Sequence, residues 1–527
     1  MTPSTDLHEL IHSLTKMEKR YFKLYAARTS GTKQTSVLKV FDAIAKQKEY
    51  DEKALLGKFK NESFASNFPA YKNHIYTVVL RAIAHYRESS SPTDSITTQL
   101  RQVKILMENN LHKQAHKLNQ RIRSKAIEVE DFAAIVESLE IDRKILIARS
   151  GEYLFDAPSD VVISRIMTMS QSVLDQWQRV LEMQKIQTIL FDAHLNFITK
   201  FATWEEAEKW AEEMMRHPFL SPSTTHQSYT EFTLFHYIHF VYETQFRSNF
   251  SEGFRHAMIM VKEYENEPKR IIADGLGYLR ACSWVVTAAI WIYQDDVALE
   301  YTHIMRNAPE KYHIPLTADV NRFDLQSFAL EGTILTGKFM DKIAGEFIHK
   351  ALNALEKWQD LKRYHEEEQI LTACIQLLFE MERYQECITL CNRYINSKEY
   401  AQKHRAVIKI YLALAHFELG NMEILSSISR SAVRQIKETS PLRELERLFF
   451  LCMQRISTSD SKQTIQKHIQ SFLLQFTEHN SNQPSQQQID VYTSVHYIWA
   501  NAHLKGIPYK EEGLIQHEAA KNKVQGD

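Results

Sequence analysis

Two histidines near the start of the chain have the spacing of a zinc site. His8-Glu9-Leu10-Ile11-His12 matches the H-E-x-x-H pattern, in which two imidazoles one helical turn apart bind Zn²⁺ and the glutamate activates a water molecule. No further ligand stands at a recognisable spacing, and no strand that could form a substrate-binding wall is readable in the sequence. With 23 histidines, a chance match is unsurprising. Because the apolar spacing of the segment already accounts for a helix, we expect no catalytic zinc here.

A second set of metal-ligating residue types lies on one predicted helix. His236, His239 and Glu243 share a face at i, i+3 and i+7, and the pair Glu300 and His303 is the one similar set that a facing helix could supply. A histidine on an aromatic-rich helix is more often a hydrogen-bonded core residue than a ligand. We therefore expect core histidines.

Other pairs are better explained by packing. Cys387 and Cys391 lie on one helix face but have no second pair to complete a zinc site. Gly275 and Gly277 lack the third glycine and the preceding strand of a dinucleotide-binding loop. We predict no catalytic residue, no metal, no cofactor and no identifiable small-molecule substrate, and hence no enzyme.

The composition favours helices. Gly (13) and Pro (12) are scarce among 527 residues, where average usage would give roughly 35 and 25. Since β-hairpins and nucleotide-binding loops depend on these residues, the scarcity predicts helices joined by short polar loops. The net charge of −1 gives no case for nucleic-acid or membrane binding by the chain as a whole.

Cysteine usage and hydropathy predict a compartment. The five cysteines follow no disulfide pattern, which indicates a reducing environment. The first residues lack the basic and apolar parts of a signal peptide, and no run of about 18 apolar residues predicts a transmembrane helix. We expect a soluble, cytoplasmic protein with no membrane contact.

A repeated pattern occupies the middle of the chain. In the segment 202–218, Thr203 and Glu206 form a capping box, and apolar or small residues follow on one helix face. Other helices of this type carry a small residue at the same early position, and from Ala207 onward these residues recur at intervals of 43–46 residues. The interval from Ala115 to Ala207 is about twice as long, so a further repeat unit is expected near residue 161. Small residues allow paired helices to approach closely. The series is Ala115, Ala207, Gly253, Ala298, Ala344 and Cys387.

The phrases TWEEAEKWAEEMMRHP (203–218) and LALAHFELGNME (412–423) resemble tetratricopeptide repeats. The resemblance implies a right-handed α-solenoid of antiparallel helix hairpins that binds a protein or peptide in a groove. It covers roughly residues 95–480, with a longer period than the family's 34 residues. The N-terminal residues Leu10, Ile11 and 18–23 (EKRYFK) also resemble a group of bacterial helical-repeat proteins with no assigned chemistry.

Composition shifts predict the domain boundaries. We expect a small, mildly basic helical N-terminal domain (1–88), a linker (89–95), the repeat solenoid (96–480), a C-terminal helix after a polar break (481–505) and a flexible tail (506–527).

Two functions follow from this organisation. The first is a non-enzymatic scaffold or adaptor that binds a protein or peptide in the solenoid groove. The alternative is a transcriptional or RNA regulator with an N-terminal helix-turn-helix-like domain and a repeat sensor, since residues 1–88 carry 15 Lys/Arg and 9 Asp/Glu, a net charge of +6. The candidate nucleic-acid contacts are Lys72, Asn73, His74, Arg81 and Arg87.

Overall fold

The computed structural model describes residues 4–29, 34–47, 49–88, 92–150, 158–196, 200–201, 203–358, 364–396, 402–439, 444–481 and 494–526. Within these ranges all regular secondary structure is helical, which confirms the predicted all-α fold class. The chain divides into two compact units, Met1–Ala281 with Asn307–Asn321, and Cys282–Arg306 with Arg322–Asp527. The domain boundaries given by the sequence stay a prediction.

The helices of the first unit follow one another with short connections. Short 3-10 turns lie at Ser63–Asn67 and Pro218–Leu220, and π-helical segments at Leu146–Ser150 and Tyr242–Phe246. The α-helices are α1 (Asp6–Ser13), α2 (Lys16–Thr29), α3 (Gln34–Ala45), α4 (Glu52–Lys58), α5 (Phe68–Glu88), α6 (Pro92–Glu108), α7 (His112–Glu128), α8 (Phe132–Ile145), α9 (Ser159–Leu195), α10 (Trp204–Met215), α11 (Tyr229–Val241), α12 (Phe250–Asn266) and α13 (Pro268–Ala273).

Within the described ranges, three helices contribute to both units, and nine more follow in the second unit. The shared helices are α14 (Gly275–Trp291), α15 (Asp295–Lys311) and α16 (Ala318–Leu335). The helices of the second unit are α17 (Asp341–Lys357), α18 (Tyr364–Glu380), α19 (Tyr384–Asn396), α20 (Gln402–Glu418), α21 (Met422–Thr439), α22 (Glu444–Ile456), α23 (Lys462–Ser481), α24 (Val495–Lys505) and α25 (Tyr509–Gly526).

The first five helices enclose an apolar core. Helices α1 and α2 each pack on α3 and α5, and Ile11, Phe22 and Phe41 are buried between them. A capping box starts α2. The hydroxyl of Thr15 accepts from the amide of Glu18 (3.2 Å), and the Glu18 carboxylate accepts from the amide of Thr15 (2.9 Å).

Helices of the second unit pack in chain order. From α17 to α25, each helix contacts the next one along the chain. This succession is the packing expected of a helical array, in which each repeat buries its apolar face against its neighbours. The right-handed sense and the antiparallel hairpins stay predictions from the resemblance.

The recurring small residues occupy buried positions, as their spacing predicts. Gly253 shows the reason, because a Cβ atom there would lie 2.3 Å from Cγ2 of Thr244 in the preceding π-helical segment. The capping role predicted for Thr203 is also confirmed, since its hydroxyl accepts from the amide of Glu206 (3.2 Å). The buried members of the series are Ala115, Ala207, Gly253, Ala298, Ala344 and Cys387.

Helix α9 differs from the repeat pattern. The helix expected near residue 161 is present, but α9 continues without a turn for 37 residues, from Ser159 to Leu195. Its buried residues lie on one side as far as Val180 and on another side from Met183 onward. Both halves of α9 therefore have an apolar face to bury, and no hairpin interrupts them.

The predicted flexible tail contains helix α25 instead. The ring of Tyr509 lies 5.1 Å from that of Phe379 and 5.8 Å from that of Phe339. The fully buried Glu512 carboxylate accepts from the ammonium of Lys505 (2.7 Å). The segment is otherwise polar, and its composition therefore predicted a flexible tail. These few tertiary contacts, which composition does not reveal, stabilise it as a helix.

Candidate functional site

An open groove of about 990 Å³ lies between α9 and the segment 217–227, which leads into α11. Helix α9 lines it mostly with polar side chains, including Asp175 and Glu182. The facing segment contributes the ring of Phe219 and the amide side chain of Gln227. The groove therefore offers carboxylates, amides and an aromatic surface to a ligand.

Two carboxylates give the groove its charge. Asp175 and Glu182 are seven residues apart in α9, so they lie on one face of the helix, two turns apart. Asp175 accepts from the side-chain amide of Gln171 (2.7 Å), and Glu182 lies 3.8 Å from the ammonium of Lys185, with its side chain 44% exposed. Exposed carboxylates in a cleft favour a cationic ligand.

The cation between these carboxylates is already paired. The guanidinium of Arg179 donates from Nε and Nη2 to the two carboxylate oxygens of Glu231 (3.0 and 3.1 Å), and it stacks 4.5 Å from the ring centre of Phe219. Glu231 is fully buried and also accepts from the amide of Gln227 (3.1 Å). This bidentate ion pair holds the segment 217–227 against α9, so the guanidinium of Arg179 is engaged by Glu231 rather than by Asp175 or Glu182.

Four histidines cluster next to the groove segment: His226, His236, His239 and His256. The Nδ1 atoms of His236 and His256 lie 2.7 Å apart, so one ring donates to the other. The ring of His239 stacks on His256 at 4.9 Å and its Nε2 donates to the carbonyl of Leu220 (3.2 Å). Burial, aided by neighbouring imidazoles and an arginine, lowers the pKa of His236 to about 4 and that of His256 to about 3. The pair is therefore neutral at pH 7.

The H-E-x-x-H segment lies in α1, with both imidazoles against backbone carbonyl groups. Nε2 of His8 donates to the carbonyl of Gln47 (3.2 Å), and Nε2 of His12 to that of Ile44 (3.4 Å). Glu9 accepts from a threonine hydroxyl one turn earlier (2.7 Å). The carbonyl groups at the end of α3 have no partner within the helix, so the two histidines cap that end.

The second metal candidate is only partly assembled. His236 and His239 do lie together, but with the two other histidines of the cluster. Glu243 follows in the π-helical segment, where burial raises its pKa. Glu300 and His303 belong to the second unit. Among all residues the structure describes, no group of three or more His, Cys, Asp or Glu side chains is arranged to hold a metal ion.

The cysteine and glycine pairs lie in closely packed surroundings. Cys387 and Cys391 are fully buried in the apolar core of the second unit, and burial raises the pKa of the Cys391 thiol. A Cβ atom at Gly275 would lie 2.5 Å from Ile314, and one at Gly277 would lie 2.0 Å from a carboxylate oxygen. These contacts account for the small residues without a ligand.

The predicted helix-turn-helix corresponds to α4 and α5. Its first candidate contact, Lys72, is buried, and its ammonium pairs with Glu52 and donates to a tyrosine hydroxyl (2.9 Å). The ammonium of Lys72 is therefore already paired inside the domain, and the prediction that it contacts nucleic acid is wrong. The side chain of Arg87 lies outside the described residues. The other candidates are exposed: Asn73, His74 and Arg81.

Sequence reasoning missed the groove itself. Its residues come from α9 and from a segment about 40 residues later, and neither carries a motif. The i, i+3 spacing of His236 and His239 was the one local signal of the histidine cluster, whereas His226 and His256 join it only through the fold.

In the described ranges, no helix is long and apolar enough to pass through a lipid bilayer. The chain matches no protein-family model, and a search of curated proteins also gives no match.

Proposed function

We propose that this protein is a non-enzymatic interaction scaffold that binds a peptide or a protein segment in the groove beside α9. The observation that carries the proposal is the open groove of about 990 Å³ with the carboxylates of Asp175 and Glu182 on its wall. The volume is at the upper end of the range for ligand sites, so it accommodates several side chains of a peptide.

The groove's chemistry specifies the kind of segment. Asp175 and Glu182, two helical turns apart, favour two basic side chains about 10 Å apart. The ring of Phe219 adds an apolar surface on the facing wall of the groove. All five cysteines are buried and none forms a disulfide, which supports binding in the reducing cytoplasm.

A peptide library displayed on phage tests this proposal with the full-length chain. Selected peptides should be enriched in paired Lys or Arg residues. The double variant Asp175→Lys/Glu182→Lys should weaken their binding by about 10-fold or more, measured by fluorescence anisotropy, because attraction becomes repulsion. The matched control is Glu108→Lys/Glu128→Lys, which makes the same charge change at exposed carboxylates outside the groove.

The result depends on the comparison of the two variants. Loss of binding in the groove variant and retention in the control supports the proposal. Equal binding by both variants, or selection of peptides without basic residues, contradicts it.

A further inference from the structure

Helix α9 carries an exposed apolar stripe with a seven-residue repeat. Met167, Leu174, Leu181 and Leu195 follow this repeat and are 61%, 44%, 51% and 64% exposed. Residues four positions earlier continue the stripe, including Ile163 (45% exposed). We call this stripe the seam. It comprises Ile163, Met167, Ser170, Leu174, Trp177, Leu181, Gln184, Thr188, Phe191 and Leu195.

Most of the seam lies away from the faces that α9 buries in its own unit, whereas Trp177 is half-buried and packs against the apolar core of that unit. The buried residues include Val173, Val180, Ile186 and Leu190. The seam, by contrast, runs for about 48 Å along the helix, at 1.5 Å per residue. Seven of its ten residues are apolar, the others being Ser170, Gln184 and Thr188, and proteins seldom expose an apolar surface of this length unless it is a binding site.

The spacing identifies a helix as the occupant. Apolar residues alternating at intervals of four and three are the pattern of a coiled-coil interface, which keeps facing a partner helix when the two wind around each other. A peptide in extended conformation would not match this repeat, because its side chains alternate every two residues.

We infer that the partner is the α9 helix of a second copy of this chain, paired in the antiparallel direction. One antiparallel register places apolar residues opposite each other at both ends and at the centre. Between them, it places two hydroxyl residues opposite each other and one leucine opposite a glutamine. The facing pairs are Ile163 with Leu195, Met167 with Phe191, Ser170 with Thr188, Leu174 with Gln184, and Trp177 with Leu181.

The same register keeps the charged residues on the open flank of the seam apart from one another. It places Lys185 opposite Gln171 of the second copy, Gln178 opposite its own counterpart, and Asp192 opposite Ser164. No like charges meet on this flank. The antiparallel direction also aligns the two helix dipoles favourably. Gln171 and Gln178 also line the groove, whereas Leu174 and Leu181 do not, so substitutions at the two leucines and at the two groove carboxylates test self-association and peptide binding separately.

Sedimentation velocity of the full chain at about 1 to 50 µM tests the dimer. The wild type should sediment as a dimer, and Leu174→Lys/Leu181→Lys should raise the dissociation constant by about 100-fold or more, because two buried leucines per chain are lost. Both leucines are already exposed in the single chain, so the helical circular dichroism should not change. The matched control is Leu514→Lys/Ile515→Lys, at residues 45% and 48% exposed in α25.

Disulfide trapping tests the register. In the variant Ser170→Cys/Thr188→Cys, mild oxidation should link position 170 of one chain to 188 of the other, as identified by mass spectrometry of the digest. A link within one chain is excluded because the two positions are about 27 Å apart on the same helix. The native cysteines are all buried, so they add little background. A monomer at every concentration, a dimer that survives the leucine substitutions, or links between identical positions would overturn the inference.

Discussion

Replacing Glu380 by glutamine should remove a pH-dependent loss of stability from the second unit. Glu380 ends α18 and is 3% exposed. Its Oε1 accepts from the amide of Gly337 and from the side chain of Gln376 (both 2.9 Å), while Oε2 is buried with no hydrogen-bond partner among the described residues. Burial raises the pKa of this carboxyl from 4.5 to about 7, with a smaller contribution from Asp341.

The sign of the effect follows from proton binding. Between pH 4.5 and pH 7 the folded chain keeps the proton on Glu380 and the unfolded chain has released it. The free energy of unfolding therefore falls as the pH rises through this range, by about 3 kcal/mol in total. Glutamine carries no charge, so the variant should match the wild type near pH 4.5 and exceed its stability by this amount at pH 8.

Hydrogen exchange of peptides from α18 and α20 measures the opening free energy of the second unit alone, after correction for the intrinsic exchange rate at each pH. The exposed Glu356→Gln in α17 is the matched control and should show no pH-dependent difference. If the gain from Glu380→Gln is the same at pH 5 and pH 8, the carboxyl does not titrate as its burial requires.

Two further predictions concern the first unit. The pKa values of His236 and His256 are lowered from 6.5 to about 4 and about 3, so the unfolded chain binds protons first as the pH falls. The free energy of unfolding should therefore decrease between about pH 6.5 and pH 4, as measured by urea titrations followed by circular dichroism. Gly253→Ala should lower the free energy of unfolding by about 1–3 kcal/mol in the same titrations, because the new Cβ would lie 2.3 Å from a threonine methyl group.

Each of these predictions has a control in the chain. His256→Phe should flatten the acid slope, and an unchanged slope would show that other groups cause it. Gly57→Ala places a Cβ where nothing lies within 4 Å, so it should leave stability unchanged or raise it by up to about 1 kcal/mol. Equal effects of the two alanines would contradict the close approach at Gly253.

The sequence predicts local structure well where local rules decide it. The capping position of Thr203 and the small residue at Gly253 are visible because helix caps and helix crossings need particular residue types at fixed spacing. The continuous course of α9 was not visible, because which side of a helix is buried depends on neighbours distant in sequence.

The candidate site was less predictable for the same reason. The bond between Arg179 and Glu231 joins residues 52 positions apart, and nothing in either local sequence indicates it. Lys72 looked like a surface cation because lysine usually is one, yet the acid Glu52 pairs with it inside the domain. Such pairings are set by the tertiary fold, so composition and spacing alone do not reveal them.

Helix α25 has a consequence for biosynthesis. Its Lys510 ammonium lies 2.8 Å from the carboxylate of Asp341, a residue 169 positions earlier, and the Cβ of any residue replacing Gly513 would touch Phe339. At roughly 5–20 residues per second, a ribosome needs roughly 10–30 s to travel between these contacts. During that time Phe339 lacks the contacts that Tyr509 and Gly513 of α25 provide. Translation that stops before Tyr509 would release a fragment that lacks α25 and exposes the apolar residues that α25 contacts. Such a fragment should be bound by chaperones or should aggregate.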